Sequence, residues 1–150
     1  MAHNKNNMIK KKVQIVLYYR DANKQIHFLL LRTNKRRNSF WQNITGGVEN
    51  AESYQEAALR ESAEETGIEK SNIKELRETN MEFEFFDQWQ RDVREKVFAL
   101  ECNEIFPVKL DPQEHEDFKW VSKDEIGRDS VKYESNWLAL LSQKEALEIL

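Results

Sequence analysis

Residues Gly46–Ile68 read GGVENAESYQEAALRESAEETGI. A glycine turn leads into a helix whose Glu61, Glu64 and Glu65 stand at i, i+3 and i+4, next to Arg60. Carboxylates at this spacing share one helical face, where like charges repel. A divalent cation among them relieves that repulsion, and hard cations such as Mg²⁺ complete their shell with water and substrate phosphates. The spacing therefore points to an enzyme that works on phosphate chains. Plainer explanations cover part of the pattern, since a charge run is usually a solvated face. Ser53–Glu56 (SYQE) is a capping box and Gly67 a helix stop, which explain the ends of a helix from about Ser53 to Thr66. They leave the Arg-Glu and Glu-Glu pairs unexplained.

Working outward, Val13–Tyr19 (VQIVLYY) reads as a buried strand and Ile26–Arg32 (IHFLLLR) as its hairpin partner, with a turn at Asp21–Lys24. Asn34–Ser39 is a basic polar loop, in which Lys35, Arg36 and Arg37 could attract a polyphosphate, although a solvated loop is the commoner reading. Phe40–Thr45 is a short strand entering the glycine turn. Beyond the helix, Ile73–Thr79, Met81–Trp89, Val93–Cys102 and Phe118–Val121 are predicted strands. In the second of these, apolar residues at 81, 83 and 85 alternate with glutamates, as in a sheet with one wet face. A brief helix is expected over Ser122–Ile126 and an amphipathic one over Glu134–Leu150. Strands around two principal helices predict an α/β fold, a mixed sheet covered on its faces.

The chain of 150 residues fits one domain over 1–150, with 1–10 as a flexible N-terminal tail. It is 39% hydrophobic and 33% charged, with net charge −4, which argues against nucleic acid and anionic membranes as partners. No run of 18 apolar residues is present and the polar N-terminus lacks a signal-peptide core, so a cytoplasmic location is expected. Cys102, the single cysteine, allows no internal disulfide and reads as a buried strand residue. With four Gly and two Pro there is little material for a flexible linker.

The Gly46–Ile68 segment resembles the signature of the Nudix hydrolases. Gly46, five residues, Glu52, seven residues, Arg60-Glu61, then Glu64-Glu65, Gly67 and Ile68 reproduce its spacing. Ser62 stands where a large aliphatic is usual, and Ala51 where a glycine is often found. The resemblance implies an α/β/α sandwich and a Mg²⁺-dependent pyrophosphohydrolase, with Mn²⁺ as the alternative ion. It also implies that Arg60 orients the glutamates. Glu61, Glu64 and Glu65 are the expected metal ligands, and Gly46 allows close approach of a bound phosphate. A further ligand or base is expected from Asp111–Asp117, with Glu114 ahead of Glu116; Glu61 or Glu114 serves as the general base. His115 could titrate near neutrality but reads as a surface histidine.

Shorter matches, FWQNITGG, EHEDFKW and ESNW, resemble the bacterial Nudix subgroup that acts on dATP or dihydroneopterin triphosphate. The likeness implies substrate contacts from Arg32 and Thr45, and sets Tyr133 and Asn136 near the last contact region. Phe40 and Trp41 could stack on a ring, although core packing is the commoner role for such residues. The expected reaction releases a monophosphate and pyrophosphate from a small nucleotide or pterin triphosphate. Other nucleoside diphosphate derivatives, or nucleotide sensing without catalysis, are the alternatives. The oligomeric state is left open between monomer and homodimer.

Overall fold

Val13–Tyr18 is buried throughout, because its strand lies at the centre of a sheet covered on both faces. The computed structural model describes residues 9–148; 1–8 of the expected tail and 149–150 of the expected last helix lie outside them. Central strand β1 (Lys10–Arg20) begins at Lys10, the last residue of that tail. The elements that follow are β2 (Ile26–Thr33), β3 (Trp41–Gln42), β4 (Ile44–Gly47), α1 (Tyr54–Thr66), β5 (Ile73–Phe86), β6 (Asp92–Cys102), β7 (His115–Ser122) and α2 (Glu134–Glu148). β1 runs parallel to β6 and antiparallel to β2 and β4, while β2 also pairs with β3 and β7, and β5 with β6.

Alternation along the strands makes two cores. Val13, Ile15, Leu17, Leu29, Leu31, Phe98 and Leu100 pack with Ala57 and Ala58 of α1. Val16, Tyr18, Phe28, Leu30, Val97 and Ala99 pack with Ala139, Leu140 and Leu147 of α2. The result is the expected α/β/α sandwich, with Cys102 buried in the first core. Burial pushes its thiol up to about 12, so it is no nucleophile.

Several elements depart from expectation. Asn43 separates β3, which pairs with β2, from β4, which pairs with β1, so the Phe40–Thr45 strand is split between two neighbours. The two strands expected over 73–89 form one, β5. Its register shifts between Glu78 and Glu82, where Thr79 Oγ1 donates to Val97 O at 2.7 Å. Ser122–Ile126 is a single turn and not a helix. The basic loop is not simply solvated: Lys35–Arg37 form a 3₁₀ turn bound to the acidic segment. There Arg36 donates to Gln113 O at 3.0 Å and Asn34 to Pro112 O at 3.0 Å.

Candidate active site

Helix α1 starts at Ser53, whose hydroxyl accepts from Glu56 N at 3.0 Å while Glu56 accepts from Ser53 N at 2.9 Å. Gly67 ends it in the left-handed region at φ 75°. Ser62 is fully buried, and its hydroxyl has no partner among the described residues. Ala51 has φ 67°, which explains why glycine suits that position.

Arg60 is the hub of the site. It grips Glu52 through Nε at 2.8 Å and Nη2 at 3.0 Å, and donates to Gly47 O at 2.7 Å. Its Nη1 reaches Glu61 at 3.1 Å and Glu64 at 3.1 Å. The Arg60 bond holds the Glu52 carboxyl down at about 2. Gly46 needs its missing side chain for a different reason from φ: a Cβ there would overlap the Glu61 carboxyl group. Gly46→Ala is therefore expected to displace Glu61 and cut kcat roughly a hundredfold, about the loss of a supporting contact at a metal site. Steady-state kinetics beside a melting curve checks this; unchanged kcat would show that Glu61 yields harmlessly.

Glu65 is 6% exposed, and its Oε1 has no hydrogen-bond partner among the described residues. Burial, then the adjacent Glu61 carboxyl and the charge of Glu114, raise its pKa well above the usual carboxylate range. His115 corrects the surface reading, being 1% exposed. A β-bulge where Arg32 and Thr33 face Asp117 and His115 turns the ring inward. Its Nδ1 lies 3.8 Å from Glu65 Oε1 and its Nε2 lies 2.9 Å from Gln42 Nε2. Burial and then the charge of Arg37 hold the imidazole down at about 4, hence neutral at pH 7.

Glu114 accepts from Arg37 Nη1 at 2.7 Å, whereas Glu116 pairs with Arg32 at 3.3 Å. Arg37, Thr45 and Tyr133 line a cleft of about 730 Å³ on the α2 face, and Arg32 is not part of its lining. Phe40 also lines it, packed edge-to-face on Tyr133, while Trp41 packs into the α2-side core. Among the cleft residues that the motifs did not point to are Lys12, Arg37, Phe83, Trp89 and Glu95. For Glu95 a signal existed, since strand alternation sets it on the same face as Val97 and Ala99.

Nudix hydrolases generally use divalent metals. Among the described residues no three acidic, His or Cys side chains already surround one point, because Arg60 draws Glu61 and Glu64 to itself. The donor set still fits a hard cation. It offers only carboxylate oxygens, one of them buried without a partner, and two adjacent carboxyls that a cation would hold ionised.

The NUDIX domain profile matches residues 10–141. The chain belongs to the Nudix family. It is an enzyme of the class that hydrolyses phosphoric anhydrides. It is 32% identical over 132 residues to the dihydroneopterin triphosphate diphosphatase of Haemophilus influenzae, covering 81% of this chain and 78% of that one. Its fold resembles the Ap4A hydrolase of C. elegans, with TM-score 0.76, 23% identity and coverage of 94% and 99%. It also resembles the dihydroneopterin triphosphate pyrophosphohydrolase of E. coli, with TM-score 0.73, 24% identity and coverage of 91% and 95%. No helix among the described residues of this Nudix hydrolase is long and apolar enough to cross a membrane.

Proposed function

We propose that this Nudix hydrolase cleaves a pterin or nucleoside triphosphate, dihydroneopterin triphosphate foremost, to the monophosphate and pyrophosphate with Mg²⁺. The observation that carries the reading is the adjacency of the carboxylate site and the cleft through β4 and Arg37. Gly46 packs on Glu61, Thr45 beside it lines the cleft, and Arg37 lines the cleft while holding Glu114. The pterin is placed first because the Haemophilus relative is a dihydroneopterin triphosphate diphosphatase.

Glu61, Glu64, Glu65 and Glu114 would hold Mg²⁺, or Mn²⁺ in its place. When bound, the cation neutralises phosphate charge and makes water more acidic. Arg60 positions Glu61 and Glu64 from behind. The Arg37 guanidinium, which lines the cleft, is assigned to a phosphate oxygen, and Thr45 to the same end of the substrate. Water attacks a phosphorus atom, the bridging P–O bond breaks, and pyrophosphate leaves. One carboxylate, Glu61 or Glu114, takes the water's proton.

The test incubates pure protein with Mg²⁺ and dihydroneopterin triphosphate, nucleoside triphosphates, ADP-ribose or diadenosine tetraphosphate, with EDTA controls. Pyrophosphate release from a triphosphate, fastest with the pterin and abolished by EDTA, is expected. Turnover confined to ADP-ribose or the dinucleotide would overturn the reading.

A further inference from the structure

We infer that Glu95 reads the heterocycle of the substrate and selects a 2-amino-4-oxo ring edge, that of guanine or pterin, over adenine. This rests on the triphosphate activity proposed above. Glu95 is 5% exposed and yet lines the cleft. A buried carboxylate is costly unless its oxygens are satisfied. Its Oε1 accepts from Gln14 Nε2 at 3.0 Å, and Oε2 is the oxygen assigned to the ligand. Burial raises its pKa above the usual carboxylate value, and Lys12, its register neighbour on β1, and the Gln14 bond act the other way, toward the ionised form.

The orientation of this carboxylate is enforced from behind. Gln14 Oε1 accepts from Asn43 Nδ2 at 2.7 Å, so the Gln14 amide nitrogen has to face Glu95. Asn43 is itself pinned to α2, its backbone N donating to Asn136 Oδ1 at 2.8 Å and its Nδ2 to Asn136 O at 3.2 Å. The break between β3 and β4 thus supports a polar chain that ends on the Glu95 carboxyl group.

Distance and shape agree. Gly47 of β4 pairs with Lys12 of β1, Lys12 with Glu95 of β6, and Glu95 with Phe83 of β5. Glu95 is therefore two strand spacings, roughly 10 Å, from the strand that meets Glu61. That span suits an ester with phosphates at one end and a ring at the other. Phe83, Trp89 and Tyr133 line the same cleft as aromatic residues suited to a flat ring.

An ionised carboxylate only accepts hydrogen bonds. Guanine and pterin present a ring N–H beside an exocyclic amine, two donors aimed the same way. Adenine presents its amine beside an unprotonated ring nitrogen, which faces the carboxylate acceptor to acceptor.

The experiment measures kcat/KM for dihydroneopterin triphosphate, GTP, ITP and ATP with wild type and Glu95→Gln. Wild type is expected to favour GTP over ATP roughly ten- to a hundredfold, with ITP, which lacks the 2-amino group, clearly below GTP. Glu95→Gln, offering one acceptor and one donor, should lower GTP and the pterin and narrow the GTP:ATP ratio to near one. The pterin and GTP arms tell which ring is the better fit. The wild-type GTP:ITP and GTP:ATP ratios need no variant, so they test the role of Glu95 even if Glu95→Gln folds poorly. Equal use of GTP and ATP by wild type, or an unchanged ratio in a folded variant, overturns the role of Glu95 alone. Absence of turnover with every triphosphate would sink the proposed activity instead, and titration with non-hydrolysable GTP and ATP analogues would then decide the Glu95 assignment.

Discussion

Glu65→Gln is expected to remove about three orders of magnitude from kcat, the several kcal/mol that a metal ion contributes to charge stabilisation. In the presence of EDTA the same change should raise Tm by roughly 2–4 °C at pH 8. The two effects have one cause. Glu65 is buried against Glu61 and Glu114, so without a cation its ionised form is held at a cost. The sign follows from the raised pKa. The folded state binds this proton more tightly than the unfolded chain, so stability falls as pH rises beyond the ordinary value of 4.5. An amide has no proton to lose there and can donate to Glu61. The Tm advantage of the variant should accordingly shrink toward pH 5. Turnover within tenfold of wild type would remove Glu65 from the metal site.

Arg60→Gln should lower kcat by about ten- to a hundredfold, as loss of a residue that orients metal ligands does. Four carboxylates now converge on that one guanidinium: Glu49 at 3.7 Å, Glu52 at 2.8 Å, and Glu61 and Glu64 at 3.1 Å. A neutral side chain leaves them facing one another. Glu52 gives a second, independent readout. Its folded pKa of about 2 means that its contribution to stability is complete above 4.5 and is lost as pH falls toward 2. Without Arg60 that loss should occur at higher pH, moving the acid-unfolding midpoint upward. Added Mg²⁺ should narrow the gap in kcat if misplaced ligands are the defect. An acid midpoint identical to wild type would contradict the pairing.

The helix and the clustering of its charged side chains were legible because both are local. Ser53, Glu56 and Gly67 mark the ends of α1 within one segment, and Arg60, Glu61, Glu64 and Glu65 lie within two turns. The strands of the two cores were legible as apolar runs. What escaped depends on partners distant in the chain. His115 looks like any histidine in an acidic loop until a bulge against β2 buries it beside Glu65. Arg37 joins the cleft because its 3₁₀ turn is bonded to residues 112–114. Arg32, one strand position from the same loop, is taken up by Glu116 instead. Asn43 divides a strand because its amide serves Gln14 and Asn136, which no local propensity announces.

The parallel pairing of β1 with β6 also bears on how the chain is made. Gln14 and Glu95, bonded in the cleft floor, are 81 positions apart. A ladder joining such remote segments requires closure of a long loop before any contact rewards it, which slows folding. During synthesis β1 emerges before β6, and its ladder reaches completion only when Cys102 is available. Until then one side of this apolar strand presents unpaired backbone groups, the template on which two nascent chains could pair with each other. The strand that ties the two ends of the cleft together is therefore the one most dependent on the rest of the polypeptide arriving in time.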